Sequence, residues 1–157
     1  MDNNTSNKEK RQPVLTAAGV LAALAGLVLL YFGFYMLMET NMAISPDMTE
    51  SEHMIARYIS MAGIYLMVNG VFNVIAGFFG AVNSGAKDYT HKITKYGYII
   101  SGFSICNVIL LSVLTDVIGN RFSMFTVMVP ITISVMYCIG AFLNTRLVKK
   151  KYGEDLE

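Results

Sequence analysis

Four long apolar blocks, charged only near their ends, constrain the fold of this chain more than any other feature. They cover residues 14–38, 55–82, 96–118 and 122–146. A bilayer core about 30 Å thick requires about 20 apolar residues of helix, and every block reaches that length. Backbone groups in lipid must be satisfied internally, and the blocks are too long for the strands of a membrane barrel. We predict an all-α, polytopic membrane protein with an antiparallel four-helix bundle over residues 14–148.

The composition agrees with a membrane protein and excludes other classes. Of 157 residues, 54% are hydrophobic and 15% are charged, whereas about 25% is usual in soluble domains. A net charge of +1 provides no general attraction for nucleic acid, so no nucleic-acid partner is expected. Two cysteines and two histidines are too few for a disulfide scaffold or a Cys/His metal array.

Basic residues are concentrated at one end of the predicted bundle. Ten of the twelve lysines and arginines belong to that end, and the exceptions are Arg57 and Arg121. By the positive-inside rule, this end and both chain termini are predicted to be cytoplasmic. The connection over residues 39–54 contains four acidic residues and no Lys or Arg, so it is predicted to face outward.

The segments outside the membrane are predicted to be short. Residues 1–13 are polar and are expected to be disordered, and residues 149–157 form a charged tail. The first block is longer than the apolar region of a cleaved signal peptide, so we interpret it as an uncleaved signal anchor. Either Ser45-Pro46 or the capping-box pattern Thr49-x-x-Glu52 is predicted to start the second helix.

Glycines recur every seven residues in the first two blocks. The two series are Gly19, Gly26 and Gly33, and Gly63, Gly70 and Gly77. Seven residues drift only about 20° around a helix, so each series forms a nearly straight seam. Small residues let helices approach closely in lipid. The seams are predicted either to pack the first two helices together or to form an interface between chains.

Polar residues at mid-membrane depth form a second pattern. This polar layer consists of Asn69, Asn73, Asn107 and Ser134. Such side chains usually hydrogen-bond between helices, and the alternative is that they line a substrate site. Ionisable residues are absent from the middle of every block, so a proton-coupled or cation transporter would lack its usual carrier. Pro130 is predicted to kink the fourth helix.

Methionines provide an alternative set of ligands. The pairs Met38/Met42 and Met124/Met128 have one-turn spacing, which suits a soft ion such as Cu(I). Methionine also fills gaps in apolar cores, so the pattern has a structural explanation as well. The two histidines are predicted to lie at opposite ends and cannot share a catalytic or metal site. We therefore expect no cofactor and no enzymatic activity.

Over residues 14–151 the chain resembles small four-span bacterial membrane proteins of unassigned role. In length and layout it also looks like a small multidrug exporter, but its first block lacks the membrane-embedded glutamate that those exporters use. It also lacks the cysteine patterns of four-helix thiol-oxidising enzymes, claudins and tetraspanins. The resemblance implies a topology and a bacterial cell membrane rather than an activity.

These observations favour a non-enzymatic membrane protein that acts through lateral helix packing, as an accessory or structural subunit. Its expected partners are membrane lipids and either further copies of itself or a larger membrane complex. Anionic lipid head groups are expected to contact Lys149, Lys150 and Lys151. The alternative function is a small transporter or a Cu(I)-type carrier, which would use the mid-membrane asparagines or the outer methionines.

Overall fold

A computed structural model describes residues 12–118 and 124–153. Within these ranges the chain forms α-helices, one short 3-10 helix at Lys87–Tyr89 and no strand. The α-helices are α1 (Pro13–Ala43), α2 (Glu50–Val82), α3 (Thr90–Ile118) and α4 (Met124–Tyr152). All four are long and apolar enough to cross a membrane, which confirms the prediction of an all-helical, multi-pass architecture.

Capping interactions extend α1 and α2 beyond the predicted blocks. Pro13 opens α1, and the Gln12 side chain accepts a hydrogen bond from the Val14 backbone N–H at 2.7 Å. Of the two predicted starts of α2, the capping box is the one that forms. The Thr49 hydroxyl accepts from the Glu52 backbone N–H, and the Glu52 carboxylate accepts from the Thr49 N–H at 2.8 Å.

The second half of the chain also differs in its boundaries. The 3-10 turn leads into α3 six residues before the predicted start of that block. At its other end, α4 continues to Tyr152, so Lys149–Lys151 belong to its last turn rather than to a separate tail. The backbone of α4 is helical on both sides of Pro130, and the kink stays a prediction. Of residues 1–13, for which disorder is predicted, the structure describes only Gln12 and Pro13, which begin α1. Residues 1–11 and the rest of the charged tail, 154–157, lie outside the described residues.

The four helices form a ring. α1 packs against α2 and α4, and α3 packs against the same two helices. Neighbouring helices run antiparallel, since Gly19 near the start of α1 meets Gly77 near the end of α2. The outward faces are apolar, with Leu24, Leu27 and Phe34 each 55% exposed on α1. A surface of that kind suits a lipid environment and would be a liability in water.

Direct backbone contact between the two glycine series holds α1 against α2. A Cβ atom added to Gly26 would lie 2.6 Å from the Gly70 carbonyl oxygen, and one added to Gly70 would lie 2.7 Å from that of Gly26. The pairs Gly19–Gly77 and Gly33–Gly63 have the same reciprocal geometry. The two glycine series thus face each other within one chain.

Replacing a central seam glycine should separate α1 from α2. Gly26→Leu or Gly70→Leu places a side chain where the opposing backbone already lies, so we expect a loss of stability of about 3 kcal/mol. The measurement is the loss of helical circular dichroism as a denaturing detergent is titrated into mixed micelles. Gly102→Leu is the matched control, because a Cβ on Gly102 meets no atom within 4 Å. Equal stability of the Gly26 and Gly102 variants would contradict the role of the seam.

Candidate functional site

Two asparagines of the polar layer lie one turn apart on α2. Asn69 is 1% exposed and Asn73 is 6% exposed. The Asn73 side-chain amide donates to the Asn69 carbonyl oxygen at 3.0 Å and to its Oδ1 at 2.5 Å. This arrangement leaves the Asn69 amide nitrogen as the part of the pair that is available to a neighbouring helix or a bound molecule.

The opposite wall of the layer comes from α3 and α4. The hydroxyls of Ser104 and Ser134 form a hydrogen bond between these helices, and both side chains are buried. Asn107 is one turn further along α3 and is also buried. Ser134 and Asn107 were predicted from the sequence, whereas Ser104 was not. A serine pair between helices is the structural use that most mid-membrane serines have.

The register between α2 and α3 brings their asparagines to one depth. The rings of Phe72 and Phe103 pack with centroids 5.2 Å apart. Asn69 lies three residues from Phe72 toward the start of α2, and Asn107 lies four residues beyond Phe103 on α3. Because the two helices are antiparallel, both steps advance about 5 Å in the same direction. The predicted layer is therefore a common level of the bundle.

Two polar atoms of the layer are buried without a partner. Among the described residues, Asn69 Nδ2 and Asn107 Oδ1 form no hydrogen bond. One is a donor and the other is an acceptor, which is the complement that a small neutral polar molecule would need. A buried polar atom without a partner costs about 1–3 kcal/mol, so this pair is the chemically least satisfied part of the layer.

Tyr137 on α4 braces the centre of the bundle and was not predicted. Its side chain is fully buried, and its hydroxyl donates to the Ala76 carbonyl oxygen of α2 at 2.8 Å. The contact spans the diagonal of the helix ring, since α2 and α4 are not neighbours in it. Gly80 makes room, because a Cβ there would lie 2.5 Å from the Tyr137 oxygen. The available signal was Gly80 itself, a glycine outside the seven-residue series.

Buried polar contacts also close the end of the bundle that carries the lysines, which we call the basic end. Asn144 is fully buried, and its Oδ1 accepts from the Gly85 backbone N–H at 2.6 Å. Gly85 has a φ of 91°, a conformation that favours glycine. The hydroxyls of Thr16 and Ser84 lie 2.8 Å apart and link α1 to the same connection. Sequence reasoning did not identify this cluster.

Of the four methionines predicted as alternative metal ligands, the structure describes the side chains of two. Met38 and Met42 are both exposed on α1. The side chains of Met124 and Met128 lie outside the described part of the structure. Among described residues, no three His, Cys, Asp or Glu side chains are grouped as metal ligands. Cys106 and Cys138 are free thiols.

The lysines predicted to contact lipid lie together. Lys149, Lys150 and Lys151 occupy the last turn of α4 and are exposed. Cations at a helix C-terminus are favourable because they face the negative end of the helix dipole.

Comparison with protein-family models, with curated proteins and with solved structures finds no match to this chain. Function must therefore be argued from the sites described above.

Removing the Tyr137 hydroxyl should weaken the bundle without changing its shape. Tyr137→Phe leaves the Ala76 carbonyl without this partner, and we expect a loss of about 1 kcal/mol of unfolding free energy. Unfolding in mixed micelles measures it. Tyr98→Phe is the control, because Tyr98 is 72% exposed. If both variants were as stable as the unchanged protein, the brace would not contribute.

Proposed function

We propose that this protein is a non-catalytic membrane subunit that acts by associating laterally with further copies or with a larger membrane complex. The observation that carries the proposal is that the glycines of its two halves have different surroundings. The glycine seams of α1 and α2 contact each other within the chain, whereas Gly102 on α3 is exposed and has open space around it. A glycine on a lipid-facing ridge permits close approach of a partner helix.

The neighbours of Gly102 support this role for α3. Tyr98 and Ile105, one turn away on either side, are 72% and 64% exposed. Cys106, four residues beyond Gly102, is small and exposed as well. Large side chains on either side of a small residue form ridges with a gap between them, and a second helix can pack into that gap.

The proposed location is a bacterial cell membrane, with both termini cytoplasmic. The support for this orientation is the charge distribution, since the lysines of α4 and of the start of α3 share one end of the bundle. The opposite connection carries Glu50 and Glu52 at the start of α2. Lipids are therefore proposed as partners at the basic end.

Association should depend on Gly102 and not on the stability of the bundle. In native membrane discs extracted with a polymer, the unchanged protein should be larger than a monomer or should carry other membrane proteins. Gly102→Leu should release monomers while unfolding free energy changes by no more than about 0.5 kcal/mol. Val113→Leu on the exposed surface of α3 is the control. Monomeric protein with nothing else in its discs would contradict the proposal.

A second candidate function is the transport of a small neutral polar solute through the polar layer. The specific observation in its favour is the unpartnered donor and acceptor, Asn69 Nδ2 and Asn107 Oδ1. The Cu(I) alternative has no specific observation in its favour, since Met38 and Met42 are exposed on α1. The layer is therefore the part of the molecule on which transport should be tested.

Transport through the layer predicts a selective effect of Asn107→Leu. Proteoliposomes that take up a neutral polyol or amide faster than empty liposomes should lose at least about nine-tenths of that excess, since binding of a solute relies on the lost acceptor. Ser112→Val, on the exposed side of α3, is the control. Uptake equal to that of empty liposomes, or unchanged by Asn107→Leu, would exclude this function.

A further inference from the structure

An open groove runs along the outward side of the α3–α4 pair. It consists of a cavity of about 420 Å³ at the basic end and a second of about 360 Å³ nearer the middle of the helices. The lining residues follow one helical face without a break, with Thr94, Gly97 and Ser101 on α3 and Thr145, Cys138 and Ser134 on α4. Residues three or four positions apart share a face of a helix, so the two cavities follow one another along this side, and we call them together the groove.

Small polar residues form the floor of the groove. The Ser101 hydroxyl and the Cys138 thiol are 3.0 Å apart, and the Ser104–Ser134 hydrogen bond follows one turn away. Gly97 adds no side chain to the floor. A Cβ atom there would be in ordinary contact with the Cys138 sulfur, at 3.5 Å. The floor is thus formed by polar contacts between the two helices, and the cavities lie above it.

The wall at the basic end carries positive charge. Lys149 lines the groove together with His91, near the start of α3. The Arg146 guanidinium lies 4.4 Å from the ring centroid of Phe142, which is itself a lining residue. The hydroxyls of Thr94 and Thr145 donate to carbonyls of their own helices, which leaves the Lys149 ammonium as the principal lining donor. This end complements an anionic group.

The rest of the groove is apolar. Ile105, Val108 and Ile109 line it on α3, and Ile131 and Val135 line it on α4. Of these, Ile105 and Val135 are more than half exposed, so the groove opens directly onto the hydrocarbon. Methylene chains are the only material that the surrounding bilayer offers to such a surface.

The part of the groove between Lys149 and Val135 corresponds to one leaflet, and the groove continues beyond it to Ile131. Lys149 and Val135 are fourteen residues apart on α4, which is about 21 Å of helix. Half of a hydrocarbon core is about 15 Å, and the head-group region adds about 5–7 Å. A molecule with its charge at Lys149 would therefore end near the middle of the bilayer.

We propose that a single anionic phospholipid occupies this groove. Its phosphate lies against Lys149 and Arg146, and one acyl chain follows the apolar wall as far as Val135. Basic pockets between membrane helices hold anionic head groups in this way. Tyr98 and Ile105 form the rim that the groove shares with the surface around Gly102. A helix from a second copy inside the groove would leave the cations without a counter-charge, so the lipid fits both ends of the groove.

Native mass spectrometry of the full chain in mild detergent tests the proposal. Phosphatidylglycerol and phosphatidylcholine with identical acyl chains are added separately. We expect one phosphatidylglycerol to remain bound preferentially, and Lys149→Gln to weaken its binding about fivefold. Lys150→Gln is the matched control, because Lys150 is exposed and does not line the groove. Equal effects of the two lysine substitutions would overturn the site, since they would indicate diffuse attraction.

Filling the groove provides the second arm of the test. Thr94→Trp should abolish retention of the lipid, whereas Ile99→Trp, on the exposed side of α3 away from the groove, should not. If Thr94→Trp loses its helical circular dichroism, Val135→Trp takes its place. Lipid retained by a folded groove-filling variant would overturn the proposal. The proposal would also be overturned if stripping the lipid converted the protein to dimers and Thr94→Trp prevented that conversion. The groove would then be a contact surface for a second copy.

Discussion

Contact between the backbones of α1 and α2 is the constraint on which the rest of the bundle depends. At each of the three glycine pairs no side chain separates the two backbones, so peptide groups set the distance between the helices there. Rigid spacing of this kind is available in lipid, where apolar side chains gain nothing from leaving the surrounding solvent. α3 and α4 then complete the ring, and the open cavities on their side show that the two halves of the molecule differ in how tightly they are closed.

Tyr137 spans the diagonal of the ring, from α4 to α2, which are not neighbours in it. A long side chain with a polar tip reaches the Ala76 carbonyl while its ring fills the space above Gly80. Its hydroxyl is satisfied, in contrast to Asn69 Nδ2 and Asn107 Oδ1 at the polar layer. Polar groups in the bundle are thus of two kinds, one that joins helices and one that retains unused bonding capacity.

The parts of this structure that could be predicted are those encoded along one helix. Apolar length determines the spans, Thr49 and Glu52 form a local capping box, and a seven-residue glycine period defines a face. A contact that a single residue makes across the bundle produces no repeating pattern in the sequence. Tyr137 resembles any other membrane tyrosine, and Asn144 caps a connection whose position depends on the fold. The depth of the polar layer in the membrane could be predicted from the sequence. Which of its side chains lie near one another depends on the register between α2 and α3, which the sequence does not give.

The difference between the halves also separates stability from recognition. A substitution on the α1–α2 contact acts on the backbone separation that every other helix contact presupposes, so it affects all surfaces together. The α3–α4 side has a groove and an exposed glycine that no intrachain contact uses. Exposed side chains on this side, such as Ile105 and Val135, can therefore change without altering the bundle, as a surface for lipid or for a partner requires. Binding to a recognition surface loses less conformational entropy when the helices that carry it are already packed, because little further ordering is then required.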